Sequence, residues 1–240
     1  MTTLAPPQPA MNLLSRAAKR AFDLTAASAG LVVTGLPLAA VAVAIKVDSP
    51  GPVFYRGERV GLHGKAFRIF KFRSMHMHDG TGPHTTKDGD ARVTRVGKLI
   101  RRYKLDELSQ LINVVLGDMS LVGPRPEVRW CVDLYTAEEK SILTVRPGIT
   151  DWASIKFHNE GEIIAASDYD DPDQAYLELI RPEKLRLQLK YVRERTMWTD
   201  IQIILETLRK LFATRTGLES SSTASAQVPA AQSPPRSTLA

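Results

Sequence analysis

From Leu24 to Ile45 the chain carries no charged residue: LTAASAGLVVTGLPLAAVAVAI. A run of about 20 apolar residues is long enough to cross a bilayer as a helix. Its surface must be hidden from water, so any fold of this chain has to give it protein or lipid as a neighbour. Pro37 lies inside the run, with Gly30 and Gly35 just before it. A proline removes one backbone hydrogen bond and crowds the preceding turn, so a helix break is expected at Leu36–Pro37.

Three arrangements fit the run: a spanning helix, a signal peptide, and a helix-break-helix that enters a membrane and returns to the same face. The signal-peptide reading rests on the basic start and on Ala42-Val43-Ala44, which imitates a cleavage site. Charge separates the three. Between Arg16 and Arg73 ten Lys/Arg stand against three Asp/Glu, a net +7, and they crowd both flanks of the run. The positive-inside rule places both flanks on the cytoplasmic side. A re-entrant hairpin satisfies that and a straight span does not.

The rest of the chain reads as globular. Hydrophobic residues at 43% and charged residues at 24% exclude a wholly disordered chain and a polytopic membrane protein. A net charge of +6 suits nucleic acid, anionic lipid or a phosphorylated substrate. No nucleic-acid-binding motif is present and aromatics are not interleaved as stacking platforms, so nucleic acid is not expected as a partner. The lone Cys131 allows no disulfide within the chain, which fits a reducing compartment. Residues 1–15 read as a flexible lead-in, 16–46 as the membrane element, 47–215 as one folded domain and 216–240 as a disordered Ser/Ala/Pro tail.

Within that domain, Val53 to Arg56 and Phe67 to Arg73 are short strand candidates around a Gly-containing loop. Period two sets Lys71 and Arg73 on one face of the second strand. The loop with His76, His78 and His84 lacks the spacing of a metal site and reads as solvated. Apolar spacing predicts a helix over Arg95 to Leu116, closed by Gly117. A capping box, Thr136-x-x-Glu139, starts a short helix. Pro182 to Thr196 and Thr199 to Phe212 read as amphipathic helices suited to the core or to a membrane surface.

Lys104-Leu105-Asp106-Glu107-Leu108 is the segment that can do chemistry. Adjacent carboxylates point about 100° apart on a helix, so one can attack or take a proton while the other holds a metal. A helix starting near Leu105 would favour an ionised Asp106 and attract phosphate. The plain alternative is surface ion pairing, such as Arg102 with Asp106. Arg125 between two prolines and Arg146 before Pro147-Gly148 are planar cations on stiff loops, suited to phosphate. Cys131 has no matching His arrangement and reads as structural. No Walker loop, G-x-S-x-G, H-E-x-x-H or C-x-x-C occurs.

In order, the chain shows KRAFDL, the apolar run, SPGPVFYRGERVG, FRIFKFRSM, TRVGKLIRRYKLDELSQLINVVLGDMSLVGPRP and VRPGITDWASI. This resembles the bacterial sugar transferase family, the monotopic polyprenyl-phosphate phosphoglycosyl transferases with a small-type catalytic domain, from about Lys19 to Phe212. The resemblance implies an α+β fold: a re-entrant membrane helix joined to a mainly helical catalytic domain with a short β-hairpin and amphipathic interfacial helices. It implies transfer of a sugar-1-phosphate from a UDP-sugar to polyprenyl phosphate, giving polyprenyl diphosphate sugar and UMP, the priming step of polysaccharide or glycan assembly. Asp106 would attack the β-phosphate and carry a covalent phospho-sugar, and Glu107 would bind Mg²⁺. Arg101, Arg125 and Arg146 would clamp phosphate, with Lys71 and Arg73 as further candidates. Implied partners are anionic membrane lipids and downstream glycosyltransferases, and the implied location is the cytoplasmic face of the bacterial inner membrane. Two departures stand out. Many members have Ser-Pro at the helix break where this chain has Leu36-Pro37, with Thr34 as a substitute hydroxyl. Many read G-I-T-G-W where this chain has Asp151, an acidic side chain expected to alter sugar or nucleotide contacts. The competing class is a membrane-anchored basic binding protein without catalysis.

Overall fold

The structure, a computed structural model, describes residues 11–77, 85–86 and 89–216. It is α+β with helices dominant. Helix α1 (Leu13–Asp48) takes in the whole apolar run. Asn12 caps it by accepting from the Ser15 N–H at 2.8 Å, so the expected lead-in is helical from Leu13 onward. Where two helices parted at Leu36–Pro37 were expected, α1 runs unbroken with Pro37 inside it. One missing N–H frees one carbonyl, that of Val33, and the remaining ladder carries the helix. Thr34 does not serve that carbonyl, because its hydroxyl donates to Gly30 O at 2.6 Å.

Helix α1 is fastened to the rest of the protein near both ends. Near its start Lys19 pairs with Asp200 at 2.5 Å, and buried Asp23 accepts from the Ser120 hydroxyl at 2.8 Å and the Leu121 N–H at 3.2 Å. Ala27 packs with Leu111, Val114 and Met119. Near its end Ile45 packs with Phe72 and Ile100, and Asp48 accepts from the Val96 N–H at 3.0 Å. The opposite face is bare: Val32, Leu36 and Val47 are each 83% exposed. Cleavage after Ala44 would strip out every one of the first-half contacts, so the structure favours a retained helix over a signal peptide.

The expected strand pair is a hairpin in two stretches, β1 (Phe54–Tyr55), β2 (Glu58–Val60), β3 (Ala66–Arg68) and β4 (Lys71–Phe72). β2 pairs with β3 at the tip, and β1 with β4 nearer the body. Phe54 stacks on Phe72, with ring centroids 5.1 Å apart. The helix expected over 95–116 is split. Helix α2 (Arg95–Arg102) ends, a 3-10 turn covers Leu105–Gln110, and α3 (Leu111–Leu116) follows. The split lies at Lys104, whose φ of 53° is left-handed. Such a residue turns the chain without changing the apolar spacing on either side, so spacing alone reads as one helix. Gly117, at φ 99°, closes α3 as expected.

β5 (Ser120–Val122) runs parallel to β6 (Gly148–Thr150). A Cβ on Gly148 would stand 2.0 Å from Gly123 N, so only glycine permits this crossing of the two proline-rich loops. Between the strands lie α4 (Arg129–Asp133) and a 3-10 turn at Glu139–Thr144. Its capping box forms: the Thr136 N–H donates to Glu139 Oε2 at 2.8 Å and the Glu139 N–H to Thr136 Oγ1 at 3.3 Å. Short helices α5 (Trp152–Lys156), α6 (Glu160–Ala165) and α7 (Pro172–Ala175) lead to the closing pair, α8 (Arg181–Glu194) and α9 (Met197–Thr216). Leu185 of α8 packs with Val60, Val132, Tyr135 and Ile142. Ile203 of α9 packs with Val122 and Tyr191, while Trp198, Leu205 and Phe212 remain exposed. His76 donates its N–H to Arg92 O at 2.9 Å. The expectations for His78, His84, the first ten residues and the tail from 217 lie outside the described residues.

Candidate active site

The two carboxylates lie on the 3-10 turn that follows Lys104. Asp106 is buried, and Lys71 of β4 places its Nζ 3.1 Å from Asp106 Oδ2 and 3.2 Å from Glu107 Oε1. Arg125, on the loop after β5, forks onto Glu107: Nη1 donates to Oε2 at 2.9 Å and Nη2 to Oε1. Two anions thus face two cations in one cluster. Asp106 Oδ1 is buried and has no hydrogen-bond partner.

Local sequence explains the placement of Lys71. Asp106, Ser109 and Asn113 recur at helical spacing and turn one stripe toward the hairpin. The Ser109 hydroxyl donates to Phe70 O at 3.0 Å. Asn113, fully buried, accepts from the Phe70 N–H at 2.7 Å and donates to Arg68 O at 3.0 Å. The segment that carries the dyad therefore also pins the strand that carries its lysine. Ser109 and Asn113 were not singled out from sequence; their spacing from Asp106 was the available signal.

Arg125 is held from two sides. Its N–H donates to Asp151 Oδ2 at 3.2 Å. Two residues on, Glu127 accepts from Lys184 at 2.7 Å and from the Tyr176 hydroxyl at 3.0 Å, in a buried knot. Burial pushes the Glu107 carboxyl up, but Arg125 and Lys71 outweigh it and hold it well below the usual range. Burial pulls the Lys71 ammonium down, and Asp106 and Glu107 overcome this and raise it. The Glu107 charge raises Arg125 against its burial. All three groups are therefore charged at neutral pH.

The other candidate cations lie elsewhere. Arg101 lies in the last turn of α2 and makes no ion pair with Asp106 or Glu107 among the described residues. Arg146 is exposed and donates to Gly117 O at 3.1 Å, at the end of α3. Arg73 is buried and turned away from Lys71: its Nη2 donates to Ser49 O at 2.8 Å and its Nη1 to Pro50 O. It closes the turn after α1. Asp151 also departs from expectation, being 1% exposed and engaged with backbone. Its Oδ1 accepts from the Ser154 N–H at 2.6 Å, capping α5. Among the described residues no three His, Cys, Asp or Glu gather as a metal site.

The stretch of sequence that carries the dyad lies within a match to known proteins. The family model described as bacterial sugar transferase matches residues 14–214. The chain belongs to the bacterial sugar transferase family. A UDP-N-acetylgalactosamine-undecaprenyl-phosphate N-acetylgalactosaminephosphotransferase of Aeromonas hydrophila is 40% identical over 197 residues, 80% of this chain and 43% of that protein. An undecaprenyl-phosphate glucose phosphotransferase of Komagataeibacter xylinus is 40% identical over 80% of this chain and 35% of its own length. A UDP-glucose:undecaprenyl-phosphate glucose-1-phosphate transferase of Caulobacter vibrioides is 36% identical over 89% of this chain and 77% of its own. This family member thus spans less than half the length of the first two and most of the third.

Proposed function

We infer that this bacterial sugar transferase moves a sugar-1-phosphate from a UDP-sugar to polyprenyl phosphate and releases UMP. The observation that carries the reading is the buried Asp106–Glu107 pair faced by Lys71 and Arg125, with Asp106 Oδ1 unpartnered, inside the segment the family shares. The substrate class follows the names of its relatives, which use undecaprenyl phosphate with UDP-glucose or UDP-N-acetylgalactosamine.

Asp106 Oδ1 supplies the lone pair that attacks the β-phosphorus. An O–P bond forms to Asp106, and the bond from that phosphorus to the bridging oxygen breaks, its electrons leaving with UMP. Lys71 holds the other carboxylate oxygen and fixes the line of attack. Lys71 and Arg125 sit where charge gathers on the phosphoryl oxygens. An oxygen of polyprenyl phosphate then attacks the same phosphorus, and Asp106 departs as a carboxylate. Mg²⁺ is proposed at Glu107, and the donor set fits it. Glu107 Oε2 takes one bond from Arg125 and so keeps acceptor capacity, and Mg²⁺ commonly takes one or two carboxylates plus substrate phosphates. Bound there, it would offset the charge of the diphosphate and of departing UMP.

Among the described residues α1 is the one helix long and apolar enough to cross a membrane. Both its ends belong to one protein body, and Val32, Val33 and Leu36 between them are bare. This supports a helix that meets the lipid from one side and does not span it. The basic flanks then face anionic headgroups on the cytoplasmic side. Cysteines at Ala17 and Lys46 should react with an impermeant maleimide from the same side of the membrane; labelling from opposite sides would mean a span.

The test of the reaction is UMP release from a panel of UDP-sugars with polyprenyl phosphate and Mg²⁺. Wild type should release UMP with at least one sugar, and Asp106→Asn with none. Undiminished release by Asp106→Asn would remove the nucleophile, and silence of wild type across the panel would favour a binding protein. A chelator should abolish release; indifference to it would remove the metal.

A further inference from the structure

The buried carboxylate of Asp151 has no place in the chemistry above, yet its oxygens are all engaged. Oδ1 caps α5 through the Ser154 N–H. Oδ2 accepts from the Arg125 N–H at 3.2 Å and from Gln188 Nε2 at 3.2 Å. Gln188, on α8, is fully buried, and its Nε2 also lies 3.5 Å from Arg125 O. The two side chains therefore grip both backbone polar groups of the residue whose guanidinium forks onto Glu107. No other side chain contacts that peptide backbone among the described hydrogen bonds.

We propose that Asp151 and Gln188 form a buried clamp that orients Arg125, making Asp151 a positioning residue for phosphoryl transfer. This rests on the phosphoglycosyl transfer reading. Physically, a bidentate Arg–carboxylate pair needs both planes aligned, and the Arg125 side chain hangs from the loop between β5 and α4, outside any strand or helix hydrogen-bond ladder. An Arg125 N–H left unpaired in this buried spot would reorient toward water or another acceptor. The guanidinium would then swing relative to Glu107 and to the phosphoryl oxygens. Asp151 thus sets the fork from behind without touching substrate.

The test is kinetic and uses the full chain in membranes or detergent. Asp151→Ala should lower kcat for UMP release about 100-fold, the scale of a 1 Å misplacement of a catalytic group, while KM for the UDP-sugar changes less than about threefold. In an Arg125→Ala background the same substitution should have no further effect on kcat, because the group it positions is already gone. Gln188→Glu added to Asp151→Ala returns a carboxylate to the same space and should recover about tenfold in kcat. A merely structural Asp151 would give additive losses and no recovery from a further buried charge. Wild-type kcat in Asp151→Ala, or equal losses with and without Arg125, overturns the proposal. Asp151→Asn serves as the milder variant if Asp151→Ala does not accumulate. If wild type itself releases no UMP, the transferase reading fails and the clamp is judged on melting temperature. Asp151→Ala and Arg125→Ala should then be non-additive, and additive shifts would refute it.

Discussion

Removing Arg125 tests the charge arithmetic of the site. In Arg125→Ala, Glu107 loses both arms of the fork and keeps Lys71 at 3.2 Å. Breaking a buried ion pair by deleting one partner costs about 3–5 kcal/mol. The Arg125 side chain is 31% exposed, so water can partly replace it, and the low end, about 3 kcal/mol, applies. For a chain of this size that is a fall of about 6–12 °C in Tm. The pH dependence has a definite sign. Glu107 is held well below its ordinary 4.5, so its contribution is complete above that value and lost as pH falls through the folded one. Without Arg125, burial prevails and that contribution is largely gone at every pH. The gap in Tm between wild type and variant should therefore be widest from pH 6 to 8, begin to narrow below about pH 4.5, and close only as pH falls through the folded value. Differential scanning fluorimetry in detergent across pH 4 to 8 reads this directly. A gap under about 2 °C at pH 7.5, or one of equal size at pH 4, would refute the reasoning.

Lys104→Gly should raise Tm by about 2–4 °C, since it relieves about 1 kcal/mol of left-handed strain, whereas Lys104→Val should lower Tm; the reverse order would mean that Lys104 is not strained. Gly148→Ala puts a Cβ 2.0 Å from the backbone N of Gly123, so the strands must part, with a loss of about 3 kcal/mol or more seen as collapsed yield or a strongly lowered Tm; wild-type behaviour would deny the close crossing. Burial, with Glu127 nearby, pushes the Cys131 thiol up to about 12, and the residue is 3% exposed. Iodoacetamide at pH 8 should leave native protein unmodified for hours and alkylate it promptly in urea; quick native labelling would contradict a sealed, protonated thiol.

Features specified within a few residues were legible in the sequence. The apolar run became α1, the Thr136 capping box formed, Gly117 closed α3, and the two closing helices stand within a few residues of their expected bounds. Features fixed by distant neighbours were not. Nothing in the residue type announces a left-handed Lys104, since lysine takes that conformation seldom, so α2 and α3 read as one helix. Pro37 predicted a break because isolated helices seldom survive a proline, whereas packing of Ala27 and Ile45 on either side secures this one. Lys71 stood level with Arg73 in the sequence, and only the bonds from Ser109 and Asn113 to the strand bring Lys71 to the dyad. Asp151 read as a substrate contact because its partner Gln188 lies 37 positions away.

The arginines show why residue type alone is a poor guide to which guanidinium reaches the dyad. Arg101, Arg125 and Arg146 were expected to clamp phosphate, with Arg73 as a further candidate, and the loops of Arg125 and Arg146 do meet: the Gly148 N–H donates to Pro124 O at 3.0 Å. Nearness of backbone does not bring the guanidinium groups together. Arg146 donates to Gly117 O, the residue that closes α3, and Arg73 to Ser49 O and Pro50 O, just past the end of α1. A helix leaves its last carbonyls unpaired and carries partial negative charge there, so a nearby guanidinium is drawn to them. Of these arginines, Arg125 is the one that pairs with a carboxylate among the described residues, and a charge-assisted fork is stronger than a bond to a carbonyl. Which arginine faces the dyad is thus decided by where α1 and α3 stop, a property of the assembled fold and not of the residues flanking each arginine.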